Sequence, residues 1–194
     1  MLDTTPVGTS IASAVIRATR RLCSATASSS FDAVRIASSA HGKALVTTRA
    51  FSVKDVLFQF TGALRRRNAG MWSLMVGREA HLVAHEEDAP WQFLNHSFTP
   101  NVRLSHPAVA SADGPAPLIS VTAAIDLEPE TPLTIDYTLS EWDMQSSFIC
   151  SESGREVRGF MHLTEAEQDA SLKFALPHIR SLYLQHLFGQ SSRC

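Results

Sequence analysis

Two short segments of the sequence concentrate side chains that could bind a ligand or take part in catalysis. Residues 91–101, WQFLNHSFTPN, place an amide and an imidazole side by side at Asn95 and His96. Residues 126–137, DLEPETPLTIDY, end on a carboxylate and on the phenol of Tyr137. Asn and Ser bond to nearby backbone and hold irregular turns, so such segments can fix donors and acceptors in place. Taken alone, a single His or Tyr is more often structural than functional.

Two further polar clusters give weaker signals. His81 and His85 stand four residues apart beside the acidic run 86–88, a spacing that could hold a metal on a helix. A strand followed by a turn is predicted there instead, so a solvated charged surface is the favoured interpretation. Arg65-Arg66-Arg67 is interpreted as an exposed turn, with attraction of a substrate as the minor alternative.

The elements that must position these segments are predicted to be short strands. Apolar runs and alternation predict strands at 43–48 and 56–60, and Thr61-Gly62 ends the second. Further strands are predicted at 72–76, 81–84, 118–124 and 133–137, and an apolar strand is predicted to lead into Asn95. A Gly/Pro-rich loop covers 111–117. Many short strands without regular βαβ alternation predict an irregular fold, mainly β with α, rather than a doubly wound sheet.

The C-terminal part is predicted to be helical. Thr164-Glu-Ala-Glu167 is a capping box that begins a helix. Pro177 is expected to break or kink the helical segment after it. Apolar side chains then recur on one helical face, at Ile179, Leu182, Tyr183, His186 and Leu187. Gly189 is a suitable C-terminal stop for this second helix.

Composition restricts the class of protein. The chain has 194 residues, 44% hydrophobic and 19% charged, which is enough for one packed domain with an extension. The net charge of -2 argues against a dedicated nucleic-acid binder. No apolar run reaches the roughly 18 residues that a bilayer span needs, so no membrane partner is expected. The three cysteines form no CxxC pair, which favours a reducing compartment, the cytoplasm or nucleus.

Residues 1–30 differ from the rest of the chain. They are rich in Ser, Thr and Ala, and they carry three arginines and a single acid. This composition is typical of a mobile tail or a short surface helix, with a mitochondrial targeting segment as the alternative. The predicted organisation is therefore an N-terminal extension at 1–30, a domain at 31–160, and C-terminal helices at 161–194 packed on that domain.

Three motifs, in this order, resemble the SET-domain family of protein lysine methyltransferases. The family's central motif, an apolar pair followed by Asn-His-Ser-Cys-x-Pro-Asn, is similar to residues 91–101, with Phe98 in place of the Cys. Its later motif, Gly-Glu-Glu-Leu-x-x-Asp-Tyr, is similar to 128–137. Its opening motifs, from Gly-x-Gly-Val-Phe-Ala to a closing Gly, are similar to 42–62. The resemblance covers about residues 41–160 and rests on the order and spacing of the motifs.

The resemblance implies a fold, a cofactor and a set of binding residues. The fold is a β-rich SET-like domain with a pseudoknot, in which the chain passes through a loop. The cofactor is S-adenosylmethionine. The turn at Gly42, Lys43 and Ala44 corresponds to the contact with its methionine part, with Ala44 in place of the family's second glycine. Asn95 and His96 correspond to contacts made mainly through backbone and amide groups.

The resemblance also implies a catalytic residue, Tyr137. In the family this tyrosine lies where the amine, the methyl group and the sulfonium align. Methyl transfer is an in-line displacement, so positioning and electrostatics supply most of the rate gain. A phenol oxygen can orient the neutral amine and favour the charge that develops on nitrogen.

Two departures from the family pattern bear on the activity. The chain has only two tyrosines, Tyr137 and Tyr183, whereas the family's lysine channel is usually lined by several, and none occurs at 71–75. Of the family's zinc-binding tail only Cys150 is kept, and one thiolate does not make a tetrahedral site. No metal is therefore expected. Phe148, Trp142 and the C-terminal helices are the expected cover of the cofactor, and Tyr183 is a further candidate.

Three functional hypotheses remain open at this point. The first is an S-adenosylmethionine-dependent methyltransferase acting on a lysine amine of a protein. The second is a SET-fold enzyme that methylates or cyclises a small molecule in a biosynthetic pathway. The third is a non-catalytic binding module. One fold can host all three, so the site must decide between them.

Overall fold

The computed structural model describes residues 31–39, 42–66, 70–109 and 111–191. Within these ranges the chain forms twelve short strands in several small sheets, followed by two α-helices. The predicted fold class, mainly β with α, is confirmed. The predicted N-terminal extension lies outside the described residues. No helix in the described ranges is long and apolar enough to cross a membrane.

The first two strands form an antiparallel hairpin. Strand β1 (Val34–Ser39) pairs with β2 (Gly42–Thr47) along its full length. Four consecutive residues of β2, from Ala44 to Thr47, are buried. A strand that is buried on both faces has no polar alternation, which is why this run was recognisable from sequence.

Two three-stranded antiparallel sheets form most of the remaining β structure. The first has the order β3–β9–β8, and the second has the order β4–β6–β5. Their strands are β3 (Val56–Phe60), β4 (Ala63–Arg66), β5 (Ser73–Gly77), β6 (Ala80–Val83), β8 (Val102–Ser105) and β9 (Ile119–Ala123). Both sheets contribute their inner faces to one apolar core, which is built around fully buried side chains such as Phe60, Leu82, Ile119 and Val121.

The shortest pairs are two residues long. Strand β7 (Asn95–His96) pairs in parallel with β10 (Thr134–Ile135). Strand β11 (Phe148–Ile149) pairs antiparallel with β12 (Glu156–Val157). The β7–β10 pair joins distant parts of the chain, so local sequence gives little warning of it.

Helix α1 (Glu165–Ser171) begins at the predicted capping box. The Thr164 hydroxyl accepts from the Glu167 N–H, and the Glu167 carboxylate accepts from the Thr164 N–H. Helix α2 (Pro177–Ser191) starts at Pro177, whose missing N–H is no loss at a first helical position. The predicted stop at Gly189 is wrong, since the helix continues to residue 191. Gly189 is exposed, and nothing ends the helix there.

Helix α2 buries only the first part of its predicted apolar face. Ile179 and Tyr183 pack with Phe160 in a second, smaller core, while His186 and Leu187 are exposed. The contact of α2 with residues 139–142, 159–163 and His106 is called the C-terminal seam below. In this seam the Leu176 N–H donates to the Leu139 carbonyl.

Three local predictions are wrong. Residues 90–93 form a 3₁₀ turn instead of a strand, because Pro90 fixes the first φ and the Gln92 side chain accepts from the Ala89 N–H. Arg65 and Arg66 lie exposed on edge strand β4 and not in a turn. The predicted strand at 133–137 is limited to two residues.

Candidate functional site

The three motif segments converge at one place in the fold. The Leu133 N–H donates to the Leu45 carbonyl, joining the later motif to β2. The Ser97 N–H donates to the Ile135 carbonyl, joining the central motif to β10. The Asn95 side-chain amide donates to the Lys43 carbonyl at 3.3 Å, joining the central motif to β2. The binding residues named from sequence and Tyr137 therefore lie in adjoining segments.

Tyr137 lies in a 3₁₀ turn, Tyr137–Leu139, directly after β10. Asp136 caps this turn, because its carboxylate accepts from both the N–H and the hydroxyl of Thr138, at 2.9 and 2.7 Å. The phenol donates to the Leu94 carbonyl at 2.7 Å. Burial, aided by the nearby Glu141 carboxyl, raises the pKa of Tyr137 to about 12. The phenol is therefore neutral at physiological pH.

His96 has one ring nitrogen that is bonded and one that is not. Its side chain is only 2% exposed, and burial lowers its pKa to about 4. The Tyr137 N–H donates to Nδ1 at 3.1 Å, so the neutral ring carries its hydrogen on Nε2. Nε2 is buried and has no hydrogen-bond partner among the described residues. Because the ring is neutral, its 3.9 Å contact with Asp136 is not an ion pair near neutrality.

The three residues of the opening motif have different surroundings. Gly42 has a φ of +103°, and a Cβ there would meet no atom of the described residues within 4 Å. The Lys43 ammonium pairs with Asp88 at 3.3 Å and lies 5.0 Å from the centre of the Phe93 ring. Ala44 is 1% exposed, so its methyl group is accommodated in the core. Open space next to a left-handed glycine allows a ligand to approach the backbone closely.

The hairpin of β11 and β12 covers the site. The Phe148 ring lies edge-on to His96 and Tyr137, with ring centres 5.7 and 6.0 Å apart. The Ser97 hydroxyl donates to the Glu152 carboxylate at 2.6 Å, which ties the hairpin to the central motif. Phe148 was named from sequence as a cover of the cofactor, and that role stays a prediction. The residues of this hairpin are otherwise exposed, apart from Cys150 and Val157.

A second tie fastens the same hairpin. The Arg155 guanidinium lies 4.2 Å from the centre of the Phe98 ring and also pairs with Glu167 on α1. Phe98 stands where the family motif has a cysteine, and it lies edge-on to His96 at 4.6 Å. The contacts of Glu152 and Arg155 were not expected from sequence, since only the fold brings these residues to the central motif.

Glu141 is the functional candidate that sequence reasoning missed. It follows the Tyr137 turn, and its carboxyl accepts the Met75 N–H from β5 at 2.9 Å. Burial raises the pKa of Glu141 to about 7. Nothing in the sequence distinguishes this acid from the solvated ones, because its burial depends on the approach of a distant strand.

Other residues singled out from sequence lie outside this cluster. The Tyr183 hydroxyl donates to Asp169 on α1, so Tyr183 does not cover the site, and Trp142 packs against Phe160 in the C-terminal seam. His81 is buried in β6, which corrects the expectation of solvated charge there, while His85 is exposed. In the part of the chain that the structure describes, no three His, Cys, Asp or Glu side chains are grouped to hold a metal.

A cavity of about 360 Å³ lies away from these residues. It is bounded by the β5–β6 turn, residues 108–109 and 111–112, and the first turns of α2. None of the residues that line it belongs to the three converging motifs. The candidate site is thus defined by its polar groups and by the Phe148 cover.

The groups beside the glycine turn are suited to binding and orienting a ligand. It offers a neutral phenol, an unpaired ring N–H and an amide next to an open glycine turn. A buried N–H without an acceptor is rare in folded proteins, and an ordered water or a ligand would supply the acceptor. The chain matches no protein-family model, and no curated protein matches it significantly.

Proposed function

We propose that this chain is an S-adenosylmethionine-dependent methyltransferase of the SET type that transfers a methyl group to a lysine amine of a protein. One observation carries the proposal. Three segments that resemble SET motifs converge around Tyr137, and the buried Nε2–H of His96 beside it lacks an acceptor among the described residues. That arrangement supports a ligand site beside a neutral phenol.

The residues present fit the cofactor that the motifs imply. Asn95 and His96 would hold its adenosine part, since a ring N–H and a nearby amide can meet the polar edge of a base. Gly42 and Lys43 would hold its amino-acid part, because the backbone at Gly42 is open to close approach. When bound, S-adenosylmethionine supplies an electrophilic methyl group on a sulfonium. Phe148 would exclude water from this region.

Tyr137 is proposed to orient the amine of the substrate. Its hydroxyl hydrogen is already directed at the Leu94 carbonyl, which leaves the oxygen lone pairs to accept from the amine. Because its pKa is raised to about 12, the phenol stays neutral and keeps this polarity throughout the physiological range. Fixing the nucleophile in line is the largest contribution that such a site can make.

Tyr137→Phe tests this role. The ring is kept and one hydroxyl is lost, so turnover should fall on the order of 100-fold while the Kd for S-adenosylmethionine changes little. Asn95→Ala is the comparison variant, and it should weaken cofactor binding and stability together because its amide joins two segments. Turnover and calorimetric cofactor affinity are measured for both. Unchanged turnover in Tyr137→Phe with the true substrate would contradict the proposed mechanism.

A small-molecule methyltransferase is the second candidate. Met71 and Trp72 are 86% and 52% exposed, and they lie where the family would place a further pocket tyrosine. With the Tyr183 hydroxyl bonded to Asp169, Tyr137 is the one phenol at the site. A site with a single phenol would admit bulkier amines than a channel lined by several phenols. A methylation assay on lysine peptides beside a panel of small amines distinguishes the two, and cofactor binding without turnover on either favours a binding module.

A further inference from the structure

Glu141 connects the Tyr137 turn to the edge of a neighbouring sheet. Its N–H donates to the Tyr137 carbonyl at 2.8 Å, and its carboxyl accepts the Met75 N–H at 2.9 Å. Its own carbonyl accepts the Phe160 N–H at 2.8 Å. One residue therefore joins the candidate catalytic turn, strand β5 and the C-terminal seam.

The bond to Met75 supplies an acceptor for a backbone N–H at the edge of a sheet. Strand β5 is at the edge of its sheet, paired only with β6, and its register is interrupted between Met75 and Gly77. Met75 is buried, so its outward N–H requires an acceptor other than water. A neutral amide oxygen would meet that need as well as a carboxylate, so the bond alone does not explain why an acid stands here.

The charge of Glu141 becomes useful when a cation enters the site. A lysine side chain arrives from water as an ammonium, and moving it beside the neutral Tyr137 ring costs desolvation unless a counter-charge is close. Glu141 is bonded to the Tyr137 turn through its N–H at 2.8 Å, and its carboxyl interacts with the Tyr137 phenol. Its own pKa of about 7 lets it ionise near neutrality.

We propose that Glu141 is a positioning residue of the Tyr137 site: its carboxyl group fixes the Tyr137 turn against β5, and its negative charge selects a substrate group that is cationic when it binds. The selection of a cationic substrate rests on the proposed function. The bond between the Glu141 carboxyl and β5, the structural tie, does not. Strand β5 itself carries no titratable side chain. Titratable groups lie on the neighbouring elements: Tyr137 interacts with the Glu141 carboxyl, and His81 on β6 pairs with Met75. His178 on α2 bonds the carbonyl of Ser140, and His162 pairs with Asp143.

Two variants separate the bond from the charge. Glu141→Gln keeps an acceptor for the Met75 N–H and removes the ionisation, whereas Glu141→Ala removes both. Hydrogen exchange at the Met75 amide should stay slow in Glu141→Gln and become fast in Glu141→Ala. The control is Glu128→Gln, at an exposed position, and it should leave hydrogen exchange at the Met75 amide unchanged. Equal protection of Met75 in Glu141→Ala and the wild type would overturn the structural tie.

The pH dependence of unfolding tests the charge without any substrate. An acid whose pKa is raised on folding lowers stability as pH rises from its ordinary value of 4.5 towards 7. Glu141→Gln should therefore gain on the order of 5 °C in Tm over the wild type at pH 8, and much less at pH 5. The same difference at both pH values would contradict a buried titrating carboxyl.

Binding of n-butylammonium, with n-butanol as the neutral control, tests substrate charge. The cation should stabilise the wild type more at pH 8 than at pH 6, and Glu141→Gln should bind it about tenfold more weakly at pH 8. Equal binding by the two proteins, or no preference over butanol, would overturn the charge selection. Calorimetry with S-adenosylmethionine on the same samples tests the proposed function separately, since neither the amine nor the unfolding measurement requires the cofactor.

Discussion

The Tyr137 site and the C-terminal seam both bury histidine rings, and they leave opposite kinds of ring atom unpaired. At the site, the hydrogen of His96 is on Nε2, where no described residue accepts it. In the seam, His106 and His178 each donate to a backbone carbonyl, at 2.7 and 2.8 Å. Each of these two rings therefore leaves a bare lone pair, on Nε2 of His106 and on Nδ1 of His178.

We interpret the difference as one between the proposed ligand site and a packing region. A buried donor without an acceptor costs roughly 1–3 kcal/mol, which an arriving ligand can recover. A bare lone pair on a neutral imidazole is tolerated more readily, and here two such rings lie parallel, with centres 5.9 Å apart. Protonating one ring would place a charge beside the other in a buried contact. The seam is thus stable while its histidines stay neutral.

Glycine substitutions sharpen this contrast and should give the largest effect. Gly159, in the seam, has a φ of +114°, and a Cβ there would lie 2.7 Å from the Trp142 carbonyl oxygen. Gly159→Ala should therefore cost roughly 3–4 kcal/mol in the free energy of unfolding. Gly42→Ala has a similar φ but open space around it, and should cost about 1 kcal/mol. Denaturant unfolding measures both, and equal costs would contradict the close packing of the seam.

Low pH should destabilise the seam because the buried His178 resists protonation in the folded chain. Burial lowers its pKa to about 4, so the unfolded chain takes up a proton below pH 6.5 that the folded chain resists. Its contribution is complete above pH 6.5 and is lost as pH falls towards 4, by roughly 3 kcal/mol in all. His178→Gln should flatten this part of the pH dependence, while His85→Gln, at an exposed position, should leave it unchanged. If the free energy of unfolding of His178→Gln fell with pH as steeply as that of the wild type, the account would be refuted.

Releasing the hairpin from the site should have a smaller effect. Ser97→Ala removes a buried hydroxyl that donates to Glu152 and accepts from the Thr99 N–H at 3.0 Å. We expect a loss of about 1.5 kcal/mol in stability, together with faster exchange of hairpin amides. Ser146→Ala, at an exposed position just before the hairpin, is the matched control. If the hairpin amides exchange equally fast in both variants, the bond between Ser97 and Glu152 does not hold the hairpin in place.

The predictable part of the molecule is the part with local patterns. The buried strand β2 and the capping box at Thr164 follow from periodicity and from paired side chains three residues apart. The meeting of Asn95, His96 and Tyr137 was expected from the order of three motifs. Glu141, Glu152 and Arg155 were missed because their partners are distant in sequence. The strand at 81–84 was predicted, but His81 was misjudged as solvated because of its acidic neighbours, whereas its sheet buries it.

Titration with S-adenosylmethionine tests the central claim most directly. A ligand that binds only the folded state at 100 times its Kd stabilises it by about 2.7 kcal/mol, which for a chain of this size is a rise in Tm of roughly 5–10 °C. The account predicts a saturable rise of this kind in the wild type and a weaker one in Asn95→Ala. No rise in the wild type at millimolar S-adenosylmethionine would contradict it.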